Sequence, residues 1–250
     1  MIKFFRKIRY DLMEKNKTGK YFKYAIGEII LVVIGILIAL QINNWNENRK
    51  EKQKTQTYLK LLLEDFKQES LKINGYIDES KEIVSKYEAY EEKFTQSDMS
   101  LLEIVRALAA IEIQKTTTAV YGVNTIEILK STGDIRLISS RIRNKLIELN
   151  RYHEYLNLIT KRNRNNFDAE MNGLGQLGWT SIAKRFYQNK NVARIRSKVI
   201  TKEDSYKLLL AVESTFQIKY IQDRNRIELL SKLLKDMAYI EELIYAEMEK

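Results

Sequence analysis

The sequence predicts an all-α protein: a single transmembrane helix continuing into an extracytoplasmic antiparallel bundle of about four long helices. Three observations predict it. Tyr24 to Ile42 read YAIGEIILVVIGILIALQI, and at about 1.5 Å per helical residue this run spans about 28 Å, close to the ~30 Å hydrocarbon core of a bilayer. The 250 residues contain no proline, where average usage would give roughly a dozen. Proline breaks helix interiors, so its absence suits long helices. Beyond the apolar run, hydrophobic residues return at intervals of three and four, which marks one buried stripe on a helix.

The apolar run carries its own anchors. Tyr21, Phe22 and Tyr24 stand at one edge and Trp45 at the other, where amphipathic rings favour the headgroup layer. Before the span come Lys3, Arg6, Lys7, Arg9, Lys15, Lys17, Lys20 and Lys23; after it come Arg49, Lys50, Lys52 and Lys54. The positive-inside rule then puts the N-terminus in the cytoplasm. A cleaved signal peptide would need a shorter apolar stretch followed by small residues. The run ends instead in Leu40, Gln41, Ile42, Asn43, Asn44 and Trp45, so an uncleaved anchor is expected. Three segments follow: residues 1–20 as a cytoplasmic basic amphipathic segment, 21–45 as the transmembrane helix, and 46–250 as a periplasmic helical bundle.

The first stripe is Leu59, Leu62, Leu63, Phe66, Ile73, Ile77, Val84, Tyr87 and Phe94, which predicts a helix over about 20–95. Ser100 and Glu103 form a candidate capping box opening a second helix near 101–114. A third, over about 118–131, ends at Gly133, since glycine takes the left-handed conformation just past a helix. Ser139 or Ser140 then caps a helix to Asn172, with Ile142, Leu146, Leu149, Leu156 and Ile159 inward. The glycines of GLGQLGW, Gly173 to Trp179, are expected to make the main break. A short helix follows at about 180–188. Thr201 caps the last helix, about 202–248, whose stripe is Leu209, Val212, Phe216, Ile227, Leu230, Leu234, Met237, Ile244 and Met248. Each helix has one apolar face, and packing those faces together buries them all.

The opening MIKFFRKIRYDLMEKNKTGKYFKYAIGEIILVVIGILIALQINNWNENRK, together with ILKSTGDIRLISSRIRNKL at Ile128 to Leu146, resembles a family of single-span bacterial envelope proteins of unknown function. The match is specific over residues 1–50 and looser beyond. The resemblance implies a Gram-negative inner-membrane setting. It brings no activity and no assigned residue.

Composition and motifs point away from an enzyme. There is no cysteine, hence no disulfide, thiolate nucleophile or thiolate ligand. No P-loop, nucleophile elbow or Rossmann glycine fingerprint occurs, and no cofactor is expected. His153, the single histidine, falls at the interval of Leu149 and Leu156 and is expected as a satisfied interior or boundary residue. Acidic pairs such as Glu64 with Asp65 and Glu241 with Glu242 are expected on solvated helix faces.

Three features point to partners. Gly27, Gly35 and Ala39 share one helix face that a second helix can approach closely, and Glu28 beside them can supply a polar contact within lipid. At the N-terminus, Phe4, Phe5, Ile8 and Leu12 alternate with Lys3, Arg6, Lys7 and Arg9, a pattern suited to lying in the cytoplasmic leaflet. From Lys161 to Lys207, eleven Lys and Arg stand against four acids. Lys184, Arg185, Arg194, Arg196 and Lys198 are the candidate anion-binding residues of that segment. The expected partners are membrane lipid and a second copy or another envelope protein, with no nucleic acid. The leading reading is a membrane-anchored envelope scaffold or interaction protein without catalysis. The alternative is a ligand-binding sensory-type bundle signalling through a partner protein. A buried polar cavity between the long helices favours the second; a continuous apolar core favours the first.

Overall fold

A computed structural model describes residues 10, 18–111, 113, 119–176, 190–191, 194 and 202–249. Among them every regular element is helical and there is no strand. The elements are α1 (Thr18–Gln96), α2 (Leu101–Ala109), α3 (Asn124–Thr132), a 3-10 turn (Asp134–Leu137), α4 (Ser140–Gln176) and α5 (Lys202–Met248). The described helices are thus three long ones and two of nine residues, in place of about four long ones.

The chain divides into two units, residues 1–57 and 58–250. In the first, the apolar side chains from Ile29 to Ile42 are exposed, and a window of mean hydropathy 2.6 has none of its surface buried. The Arg49 guanidinium lies 6.0 Å from the centre of the Trp45 ring.

The second unit owes its core to the predicted stripes. Leu59, Leu62, Phe66, Ile73 and Ile77 of α1, Leu146, Leu149 and Leu156 of α4, and Leu230, Leu233, Met237, Ile240 and Ile244 of α5 form one buried cluster. Ile83, Tyr87 and Tyr90 of α1, Phe167 and Leu174 of α4, and Leu208, Val212 and Phe216 of α5 form another, with Ile104 and Leu108 of α2. In chain order α1 and α4 pass from the first cluster to the second, and α5 returns. Within α5 the inward positions are Leu208 and Leu233 where Leu209 and Leu234 are expected; the latter two are half-buried. Phe94 is exposed, and Ile159 is only half-buried.

The short helices show how local signals and distant side chains divide the work. The capping box of α2 forms as the sequence predicts: Ser100 N–H donates to Glu103 Oε2 at 2.9 Å, and Glu103 N–H donates to Ser100 Oγ at 3.4 Å. Gly133, with φ 75°, closes α3 in the left-handed conformation. The start of α3 differs. Residues 119–123 are not helical, because side chains from α1 and α4 take their backbone groups. Asn157 accepts from Tyr121 N–H at 2.9 Å and donates to Tyr121 O at 2.8 Å, and Glu69 Oε1 accepts from Gly122 N–H at 2.9 Å. Val123, at the N-cap, offers no acceptor. Asp65 of α1 supplies one instead, accepting from Thr125 N–H and Oγ1, each at 2.8 Å. Asp65 therefore caps a helix across the fold and does not belong to a solvated face.

At the other end of the glycine question, α4 continues through Gly173 and Gly175 to Gln176. Glycine inside a helix costs about 1 kcal/mol relative to alanine. Leu174, buried in the second cluster between the two glycines, offsets that cost. The short helix expected at 180–188, the Thr201 cap and residues 1–9 and 11–17 of the basic N-terminal segment lie outside the described residues.

Candidate functional site

The stripe of α5 is not apolar throughout. Between Phe216 and Leu230, its inward positions are filled by Lys219 and Asp223, both buried, and by Arg226. Lys219 Nζ pairs with Asp223 Oδ2 one turn away, and Ser80 Oγ of α1 donates to Asp223 Oδ1 at 3.1 Å. Burial pushes the Lys219 ammonium below its ordinary range, and the neighbouring Asp223 opposes that shift. Arg226 Nη1 lies 3.9 Å from Glu79 Oε2, and its guanidinium is 5.1 Å from the centre of the Tyr76 ring. This polar layer separates the two apolar clusters.

Beside the layer, a half-open cavity of about 380 Å³ lies between α4 and α5, with Tyr121 at its edge. Its lining includes the cations Arg162, Arg164, Lys219 and Arg226 and the apolar or aromatic residues Tyr121, Tyr155, Leu156, Phe167 and Leu230. Asp223 and Glu228 are its acids. Ligand sites are concave, largely apolar and set with a few convergent polar groups. Two arginines of the basic 161–207 segment reach the cavity. Arg164 is already engaged, its Nε donating to Asp168 at 2.9 Å.

A second buried polar pair lies nearer the first cluster. His153 Nε2 is 3.3 Å from Glu69 Oε1, and both side chains are almost fully enclosed. His153 is interior, as its spacing predicts. It is not satisfied, since neither ring nitrogen has a hydrogen-bond partner and Glu69 Oε2 has none either. Burial lowers His153 to about 4 and raises the Glu69 carboxyl. The Gly122 N–H bond favours the ionised Glu69 but does not reverse the direction.

The sign of the His153 effect follows from linkage. The unfolded imidazole titrates near 6.5 and the folded one near 4, so between those values the unfolded chain binds more protons and stability rises with pH. Glu69, raised on folding, acts oppositely over the window just above 4.5. The unfolding free energy of the wild type minus that of His153→Gln is expected to rise by about 2–3 kcal/mol from pH 4 to 6.5 and to be flat above pH 7. Denaturant titrations across that range measure it. A flat difference throughout would mean that the folded imidazole is protonated beside an ionised Glu69.

A third group sits in the second cluster. Tyr87 and Tyr90 both donate to Glu213, each at 2.9 Å. Burial first and the Glu213 bond second raise both phenols.

Of the sequence-predicted site residues, Gly27, Glu28, Gly35 and Ala39 lie on α1 in the first unit. A Cβ placed on Gly27 or Gly35 would meet no atom within 4 Å. Arg194 is described and exposed. Lys184, Arg185, Arg196 and Lys198 lie outside the described residues. Lys219, Asp223 and Arg226 escaped the sequence reading. Their signal is the gap in the α5 stripe between Phe216 and Ile227, where charged residues hold the three-and-four spacing.

These features define a class: an all-helical protein with one long exposed apolar helical segment and a helical unit whose core is divided by a charged layer beside a cavity. Residues 28–213 match the family of unknown function DUF6090, and the chain belongs to that family. The matched segment ends at Glu213, short of the layer residues of α5. No curated protein and no solved structure matches the chain.

Proposed function

We propose that the protein is a single-span inner-membrane protein with a cytoplasmic N-terminus, whose helical bundle beyond about residue 46 lies in the periplasm, binds a small ligand and passes the bound state to a partner protein. The observation carrying the ligand-binding part is the polar cavity between α4 and α5. A scaffold needs only continuous apolar packing. Here buried charges interrupt the core beside a half-open cavity, at a cost in stability that binding would offset. This favours the sensory-type reading over the scaffold reading. Soluble proteins rarely expose contiguous apolar patches of more than a few hundred Å², and the exposed run from Ile29 to Ile42 is better matched to lipid.

A scaffold role keeps one supporting feature. The open face of Gly27, Gly35 and Ala39, with Glu28 beside it, suits close pairing with a second copy or another envelope helix. The two readings are compatible if that pairing is the route to the partner.

Full-length protein purified in mild detergent and sprayed for native mass spectrometry should retain a small molecule. Thr160→Trp, which fills the cavity, should release it. A reporter fused after Lys250 should be active only in the exported compartment. Retention of nothing by the wild type would count against ligand binding, and cytoplasmic activity of the fusion would refute the topology.

A further inference from the structure

We infer that the ligand of this cavity is a neutral pyranose sugar, held by the side-chain amides of Asn163 and Gln222 and by the ring of Tyr155. The inference rests on the ligand-binding reading above and specifies its chemistry.

The charges around the cavity cancel. Lys219 is paired with Asp223, Arg164 with Asp168, and Arg226 faces Glu79. The Nε and Nη2 atoms of Arg226 are sealed from solvent, so that edge is not presented to an occupant. Arg162 and Glu228 remain, both exposed and opposite in sign. An ion entering here would lose hydration without a net opposite charge to replace it.

What the cavity does present is neutral. Along α4, Leu156, Thr160, Asn163 and Phe167 follow at steps of four, three and four, which places them on one helix face. Leu156 and Phe167 are buried in the two apolar clusters. Thr160 and Asn163 thus occupy positions where apolar side chains would close the seam against α5, and Gln222 of α5 lines the same cavity. All three are half-buried, and none hydrogen-bonds to another described residue. Their polar atoms, unlike those of Arg226, keep access to solvent. A carboxamide both donates and accepts, as does each hydroxyl of a sugar. A carboxylate or phosphate would meet the amide donors and leave the amide oxygens unpaired.

Tyr155 supplies the other half of the recognition. Its ring stacks on Tyr152, with centres 6.0 Å apart and planes at 23°. Tyr152 is fixed in turn by its hydroxyl, which donates to Leu229 O at 3.1 Å, and by the Lys232 ammonium 4.3 Å from its ring centre. Tyr155 is therefore held in place while it stays exposed at the cavity. A pyranose carries C–H groups on its faces and hydroxyls around its edge, so one face packs on the ring while the edge meets the amides. A volume of about 380 Å³ lies at the small end of ligand sites. Because the cavity is half-open, the occupant is a free sugar or the terminal residue of a glycan.

The test uses the full chain in a polyoxyethylene detergent, whose headgroup is not a sugar. Glucose, N-acetylglucosamine and the disaccharide chitobiose are the sugar probes; cyclohexanol and phenylacetate are controls that carry a six-membered ring without the array of hydroxyls. Binding is read by saturation-transfer NMR titration. At least one sugar should bind about tenfold or more tightly than either control, with an affinity indifferent to salt. Asn163→Ala and Gln222→Ala should each weaken it by about twofold to tenfold, and Tyr155→Ala by a similar factor. If a variant fails to fold, the wild-type preference for sugar over controls still decides. Chitobiose binding more tightly than N-acetylglucosamine would support the inference with a glycan end as the source, and equal binding would support it with a free sugar. Controls binding as well as the sugars would overturn the sugar while leaving a ligand cavity. So would failure of every sugar when a small molecule is still retained on purification. Sugar binding indifferent to Asn163, Gln222 and Tyr155 would overturn the assigned residues. Failure of all the probes, with no small molecule retained, would remove both the inference and the reading beneath it.

Discussion

Asp223→Ala should destabilise the helical unit by about 3–5 kcal/mol, because it leaves the buried Lys219 ammonium and the Ser80 hydroxyl without their acceptor. The effect should depend on pH. Lys219 already titrates below its ordinary range through burial, and losing Asp223 lowers it further. A lysine depressed on folding binds more protons when unfolded, so the variant should regain stability as pH rises through its folded pKa. Replacing both partners, as Lys219→Met with Asp223→Leu, should cost far less than the single change and can be neutral or stabilising. Urea titrations of the three variants measure this. A single-variant cost below about 1 kcal/mol would mean that the pair is hydrated rather than buried.

Leu230→Ala and Phe216→Ala come next in size. Leu230 is fully enclosed in the first cluster and Phe216 nearly so in the second. Truncation should cost about 2–5 kcal/mol at Leu230 and about 3–5 kcal/mol at Phe216. The residues lie about 21 Å apart along α5, with the charged layer between them. Their costs should therefore add to within about 0.5 kcal/mol in the double variant. Changes within ±0.5 kcal/mol at both sites would contradict the assigned faces of α5. A large coupling would show that the two clusters act as one.

Much of the helical architecture is legible because its causes are local. Ser100 and Glu103 are three residues apart and cap α2 with nothing else required. Gly133 ends α3 for a reason contained in its own backbone. The apolar stripes of α1 and α5 fix faces to within one residue, and Leu208 and Leu233 show the size of the error. What escapes are groups whose meaning depends on a partner far along the chain. Asp65 next to Glu64 looks like a solvated pair, and only the approach of Thr125, 60 positions on, makes it a cap. Residues 119–123 carry no strong breaker apart from Gly122, and their backbone is claimed by Glu69 and Asn157 from other helices. Lys219 and Asp223 resemble an ordinary exposed i,i+4 pair. Their burial follows from the phase of the stripe, which continues straight through them.

The charged layer also bears on alignment. Stripes spaced by three and four repeat about every seven residues, so α1 and α5 could slide past each other by one repeat, about 10 Å, and still match apolar side chains to apolar side chains. Ser80 opposite Asp223 removes that freedom. A slip of seven residues along α1 would set the carboxylate against buried Ile73 in one direction and against the Tyr87 ring in the other. The same few polar atoms that weaken the core therefore specify a single register, much as one buried asparagine does in a coiled coil.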